Sequence, residues 1–319
     1  MTQVIRSEMT FPSSAGLGEI FVRAWEPEGG NPKAAVQIVH GMAEHGERYE
    51  GFAHALVDDG FAVWCMDLAG HGKSVKDDGD LGYFGSNNGV GWKTWIWDVK
   101  RLFDHIHDRY GDSVPLLLFG HSMGSFIAKA YVEKYAATLA GACFCGTADL
   151  NPAASAGILV SQMVISSKGA KYKSAFLDNL LFDSNNAKIE NPVSKFDWLN
   201  TDPAEVAKYD ADPYCGFLFS AAGYLDLLSL MKSATRRSWY SANIPHRFPM
   251  LLIAGDADPI GGYGKGVLSV LRRMRNAGKK NSSAQIFEGM RHEILLHPEK
   301  QKVYDTVIKW MNESCLKNA

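Results

Sequence analysis

The stretch Pro115-Leu116-Leu117-Leu118-Phe119-Gly120-His121-Ser122-Met123-Gly124-Ser125 constrains the fold more than any other part of the chain. An apolar run breaks at a glycine, presents one serine, passes a second glycine and continues as a helix. Met123, Phe126, Ile127, Ala130 and Tyr131 recur at helical spacing, with Lys129, Glu133 and Lys134 opposite. Strand, sharp turn and helix in that order put Ser122 where a nucleophile elbow holds its reactive residue, hydroxyl raised above the strand end. The flanking glycines suit such a turn because a Cβ there would strike the neighbouring strand or helix. The plainer alternative is a serine capping its helix at an ordinary strand-to-helix turn.

Around this centre, buried strands are expected at 34–40, 61–66, 141–146, 249–255 and 284–288. Helices are expected to end near residue 58 and to span 94–110, 264–277 and 298–311. Alternation at this spacing predicts an α/β chain with a mostly parallel central sheet flanked by helices. Residues 1–30 read as an edge hairpin, with alternation over 19–25. From 148 to 241 the rhythm changes to helical candidates at 158–166, 174–182 and 213–233, joined by Asn191-Pro192, Thr201-Asp202-Pro203 and Asp212-Pro213. The expected organisation is a core of residues 1–147 and 242–319 with a helical cap at 148–241. That insertion is either added scaffold or a lid over a pocket. Its apolar residues, among them Phe176, Leu180, Leu181, Phe182, Phe217, Leu218 and Phe219, could line an acyl tunnel, although most are expected to pack the cap onto the core.

With 319 residues, 46% of them hydrophobic, and a net charge of -2, the chain has ample core and no basic excess, which argues against nucleic acid as a partner. Five scattered cysteines, Cys143 and Cys145 on one face of a single strand, form neither a disulfide framework nor a zinc motif. The first eight residues lack the pattern of a signal peptide, and no 18-residue apolar run suggests a membrane span. The expectation is a cytoplasmic protein with at most transient contact with a membrane surface.

A serine hydroxyl needs a histidine to take its proton and a carboxylate to orient that histidine. In parallel sheets such groups gather in the loops after the strands. His292, after the last strand, meets that requirement; His297, just before the final helix, is its rival. Asp256 and Asp258 both follow the penultimate strand, and spacing alone does not choose between them.

The segments His40-Gly41-Met42-Ala43-Glu44-His45 with Arg48-Tyr49, Gly70-His71-Gly72-Lys73-Ser74, and Gly120-His121-Ser122-Met123-Gly124 together resemble the monoacylglycerol lipase and lysophospholipase branch of the α/β-hydrolase fold, whose members share HGxxEH, GHGxS and GHSMG. The resemblance spans the chain but is specific only in these islands and around Gly255-x-x-Asp258 and Arg291-His292-Glu293. It implies Ser122 as nucleophile, His292 as base and Asp258 as acid, leaving Asp256 a structural neighbour. It further implies the backbone N–H groups of Met42 and Met123 as the oxyanion hole. Glu44, Arg48 and His121 would lie near the exit for the alcohol; equally, Glu44 and Arg48 could pair simply to hold their loop. Leu295 stands where several monoacylglycerol lipases carry a second histidine.

The implied substrate is a small-molecule ester or lipid, cleaved through an acyl-enzyme without a cofactor. Competing readings are a short-chain or aryl esterase or amidase on the same scaffold, and a triad-bearing receptor that hardly turns over. No metal is expected: His292 and His297 are five residues apart, about 500° of helix, so they do not form the paired histidines of a zinc protease. Gly72-Lys73-Ser74 lacks the upstream glycine of a phosphate loop.

Overall fold

The computed structural model describes residues 3–85, 89–149 and 153–317. Met1 and Thr2 of the N-terminal segment and residues 150–152 at the start of the expected cap lie outside the described residues. Eight strands form one sheet: β1 (Val4–Pro12), β2 (Glu19–Pro27), β3 (Ala34–Val39), β4 (Phe61–Met66), β5 (Leu116–His121), β6 (Gly141–Cys145), β7 (Met250–Gly255) and β8 (Ser282–Phe287), in the order β1-β2-β4-β3-β5-β6-β7-β8. The hairpin β1–β2 pairs antiparallel and joins β4 antiparallel; every pairing from β4 to β8 is parallel. Every residue of β3, β4, β6 and β7 is buried, as expected of parallel strands covered by helices on both faces.

The helices are α1 (Glu50–Asp58), α2 (Trp92–Tyr110), α3 (Met123–Tyr135), α4 (Ala154–Lys168), α5 (Ala175–Phe182), α6 (Pro203–Ala211), α7 (Ala221–Thr235), α8 (Arg237–Tyr240), α9 (Lys265–Asn276) and α10 (Lys300–Trp310), of which α1, α2, α3, α9 and α10 cover the sheet. Alternate residues of each strand divide the core into two layers. On one face Val39, Leu118, Phe144 and Leu252 pack with Trp95 and Val99 of α2, Ile127 and Tyr131 of α3, and Val267 and Val270 of α9. On the other, Ile38, Phe119, Cys143, Cys145 and Ile253 pack with Phe52 and Leu56 of α1 and Val303 and Val307 of α10. Cys143 and Cys145 do share a face, and all five cysteines are free and buried.

Because β3 to β8 run parallel, the loops that leave their carboxyl ends share one rim of the sheet, and that rim carries His40, Asp67, Ser122, Gly146, Asp258 and His292. Between β6 and β7 the described residues hold helices α4 to α8 and no strand of the sheet. The sequence predicts a helix over 213–233, but α7 begins only at Ala221, where Ser220 caps it by accepting from the Gly223 N–H. Residues 212–220 instead run as turns: Gly216 takes φ 65° and donates its N–H to the Ala43 carbonyl, a tie a helix would not permit. Thus Asp202-Pro203 opens α6, with Asp202 accepting from the Ala204 N–H, whereas Asp212-Pro213 opens no helix. Among the described residues no helix is long and apolar enough to cross a membrane.

Candidate active site

Ser122 lies between β5 and α3 with φ 52° and ψ -120°, a conformation that costs about 1–3 kcal/mol and persists only where its surroundings fix it. The two glycines supply that fixing. A Cβ on Gly120 would stand 2.3 Å from the Gly124 carbonyl oxygen, and one on Gly124 only 2.1 Å from that of Val39, so no larger residue allows α3 to approach the sheet this closely. The Ser122 N–H is tied to the Cys145 carbonyl of β6 at 2.9 Å.

His292 is buried in the loop after β8, and its Nδ1 lies 2.9 Å from Asp258 Oδ2. The other Asp258 oxygen accepts from the Ile260 N–H at 2.8 Å, so this carboxylate is held at both ends. Asp256 is exposed and accepts from the Gly289 N–H at 2.8 Å, joining the two loops without reaching His292. His297 accepts from the Glu299 N–H in the turn before the last helix, which begins at Lys300. Of the sequence candidates, then, Asp258 and His292 meet, and Asp256 and His297 do not take part. His292 Nε2 is buried and has no hydrogen-bond partner among the described residues.

Ser122 and His292 line one cavity of about 510 Å³ together with Met42, Glu44, His121 and residues of the insertion, including Phe182, Trp198, Leu199 and Phe217. Asp258 sits behind His292. Met123, the first residue of α3, carries one of the N–H groups that a helix start leaves without an intrahelical acceptor. Met42 belongs to a peptide with an identifiable orientation. The Leu68 N–H donates to His40 Nε2 at 2.9 Å, so the proton of this buried imidazole is on Nδ1, which donates to the Gly41 carbonyl at 2.8 Å. In a trans peptide the Met42 N–H then points to the side opposite His40. Burial pushes the His40 pKa down, which keeps the ring neutral in this role.

A buried charge network supports the same loop. Glu44 accepts from the Gly41 N–H and the Tyr49 hydroxyl with one oxygen and from Arg48 with the other. Arg48 also forks onto both oxygens of Glu293, the neighbour of His292, at 2.5 and 2.8 Å. The Arg48 guanidinium is therefore occupied by two carboxylates and stacks near the Tyr209 ring, outside the wall of the main cavity, while Glu44 and His121 remain on it. The Glu44–Arg48 pair is present, and of the two only Glu44 lines the main cavity.

Trp198 carries no signal that sequence reasoning could use, and neither the pairing of Glu293 with Arg48 nor the space left by Gly146 is read from the motif or expected strand that contains them. Trp198, from the insertion, places its ring 5.0 Å from that of His292. Gly146, at φ 60°, leaves the space that His292 occupies: a Cβ there would lie 2.9 Å from the ring. In the insertion Phe182 and Phe217 reach the cavity, whereas Phe176 and Leu180 face solvent at 62% and 55% exposure.

Burial alone would lower the His292 pKa, but the charge and hydrogen bond of Asp258, helped by Glu293 and Glu44, raise it above the ordinary 6.5. His121, 4.8 Å away ring to ring, is pushed down to about 3 by burial and then by His292, so it stays neutral. A histidine base works only unprotonated, so any activity that depends on His292 as base rises with pH through its pKa. The acid limb of kcat/KM is thus expected above pH 6.5, and Asp258→Asn should move it lower in whatever activity remains. A wild-type limb well below 6.5 would contradict the assignment.

The sequence model of the serine aminopeptidase, S33, family matches residues 30–299. The chain is 26% identical over 318 residues to a monoacylglycerol lipase of Mycolicibacterium smegmatis, covering 98% of this chain and 99% of the relative. It is 27% identical over 300 residues to a monoglyceride lipase of Mus musculus, covering 92% of this chain and 85% of that protein. Among solved structures, a thermostable carboxyl esterase from Bacillus coagulans in complex with glycerol superposes with a TM-score of 0.90 at 29% identity, covering 98% of this chain and 100% of the esterase.

Proposed function

The chain belongs to the serine aminopeptidase S33 family of α/β-hydrolases, and from that premise we propose that it is a serine hydrolase cleaving carboxylic esters of an acyl chain, of the monoacylglycerol or lysophospholipid type. The names of its relatives support a carboxylic ester hydrolase. The observation that carries the mechanism is His292, bonded to buried Asp258 through Nδ1 and left with an unpartnered Nε2 in the loop that shares a cavity with Ser122.

In this reading Ser122 Oγ attacks the ester carbonyl and gives its proton to His292 Nε2, while Asp258 stabilises the imidazolium. The carbonyl oxygen, now an oxyanion, accepts from the N–H groups of Met42 and Met123; losing one such donor costs about 2.7–4 kcal/mol. The tetrahedral intermediate expels the alcohol, protonated by His292, and leaves the acyl group on Ser122. Water then attacks with His292 again as base, releasing the acid and restoring the serine. Residues 148–241 act as a lid that gives the acyl chain an apolar wall, with Phe182 and Phe217 on the cavity side. Glu44 and His121 meet the alcohol part.

A chain-length series on p-nitrophenyl esters, alongside monoacylglycerols, lysophospholipids and matched anilides, tests the substrate class. Esters with medium or long acyl chains are expected to give the highest kcat/KM. An optimum at acetate, or anilides preferred over esters, would contradict the lipid reading and favour the small-ester or amidase alternative. Ligand retention with only a few turnovers would favour a receptor.

A further inference from the structure

A second cluster of reactive side chains lies on the seam between the insertion and the core, outside the catalytic groups. After α6 the chain makes a turn in which the Cys215 N–H donates to the Asp212 carbonyl at 3.0 Å, so that residues i and i+3 are held together. Asp212 uses Oδ1 for the Tyr214 N–H and turns Oδ2 to His45 Nε2 at 2.8 Å. One ligating atom each from His45, Asp212 and Cys215 lies within 4.8 Å of the other two.

Two further hydrogen bonds, one from a backbone N–H and one from a side-chain hydroxyl, tie the seam at the Ala43 carbonyl. The Gly216 N–H donates to the Ala43 carbonyl at 2.9 Å, and the Tyr209 hydroxyl donates to the same oxygen at 2.8 Å. The three residues are therefore held by these ties as well as by the His45–Asp212 and Cys215–Asp212 hydrogen bonds.

We propose that His45, Asp212 and Cys215 form a three-ligand site for a zinc-class divalent cation that staples the helical insertion to the loop carrying Gly41 and Met42. The donor set of one imidazole, one carboxylate and one thiol suits a borderline-soft cation such as Zn²⁺ and does not suit Mg²⁺ or Ca²⁺, which take oxygen ligands. His45 and Cys215 are buried, while the Asp212 side chain is 29% exposed, so the ion has an approach from solvent and water can complete the tetrahedron on that side.

Binding balances simply. The thiol loses its proton to solvent and becomes the metal-bound thiolate, and the imidazole proton shifts from Nε2 to Nδ1 so that Nε2 can coordinate. The Asp212 oxygen exchanges its hydrogen bond for a metal bond. None of the three residues belongs to the proposed catalytic machinery, so the site stands or falls independently of the hydrolytic reading.

The test uses the full chain, stripped with EDTA and titrated with Co²⁺ as a spectroscopic probe and then with Zn²⁺. One Co²⁺ per chain is expected to bring up a thiolate-to-cobalt charge-transfer band that Zn²⁺ abolishes by displacement. The thermal unfolding midpoint should rise with Zn²⁺ to saturation, because an ion bound only by the folded state stabilises it. Cys215→Ser should remove the band, and Asp212→Asn should weaken Zn²⁺ binding by about tenfold or more. Cys315→Ala should change neither. If Cys215→Ser fails to fold, His45→Gln and Asp212→Asn provide the same comparison through the midpoint shift. A wild-type protein that shows no charge-transfer band, a band that survives Cys215→Ser, or a Zn²⁺ shift equal in wild type and Asp212→Asn overturns the proposal.

Discussion

Asp258→Asn is expected to lower kcat by about 10⁴-fold while leaving the fold intact, whereas Asp256→Asn should change kcat no more than a few-fold. Asparagine keeps the size of the side chain and its contact with the Ile260 N–H, but its amide can present a donor to His292 Nδ1. The imidazole then carries its proton on Nε2, the atom that has to accept from Ser122. Asp256 has a different task, since it holds the Gly289 N–H at the surface. Steady-state kinetics on one ester, with circular dichroism to check folding, separates the two aspartates. Comparable losses in both variants would contradict the role given to Asp258.

Arg48→Ala carries the second large effect, on stability as well as rate. The Arg48 side chain is 11% exposed and neutralises Glu44 and Glu293, themselves 5% and 6% exposed, so its removal leaves two buried carboxylates facing each other. Breaking such a network costs about 3–5 kcal/mol. In the proposed mechanism the loss also reaches the chemistry, because Glu44 anchors the Gly41 N–H beside the proposed oxyanion peptide and Glu293 adjoins the proposed base, His292. Arg48→Lys should restore only part of the loss, since an ammonium cannot reproduce the fork that spans both Glu293 oxygens and Glu44. Urea denaturation measures the effect, and an Arg48→Ala midpoint close to wild type would show that the network does not hold the loops.

The sheet and the elbow were legible because their signals are local. A buried strand, a glycine whose Cβ would meet a carbonyl and an apolar helical stripe all fall between Leu116 and Tyr131, on either side of Ser122. The position of His292 followed from the rule that parallel strands deliver their following loops to one rim. The choice between Asp256 and Asp258 was not local. Both sit in one turn two residues apart, and only the packing of the loop after β8 decides which carboxylate faces the imidazole.

The insertion was read less well for the same reason. Asp212-Pro213 has the form of a helix start, yet its carboxylate is taken by His45, 167 residues earlier, and Gly216 is tied to Ala43. Those long-range bonds outweigh local propensity and hold the segment as a turn. Trp198, packed at a tilt against His292, belongs to no motif at all. The cluster on the seam is equally hard to see in the sequence, because His45 lies 167 residues before Asp212 and further still before Cys215.

The most direct measurement of the central claim is covalent labelling with a fluorophosphonate probe, which reacts with a serine only when a neighbouring base activates it. Stoichiometric phosphonylation of the wild type on the peptide containing Ser122, abolished in Ser122→Ala and strongly slowed in His292→Ala, is the predicted result. Labelling that persists undiminished in Ser122→Ala, or a properly folded wild type that does not react at all, would contradict it.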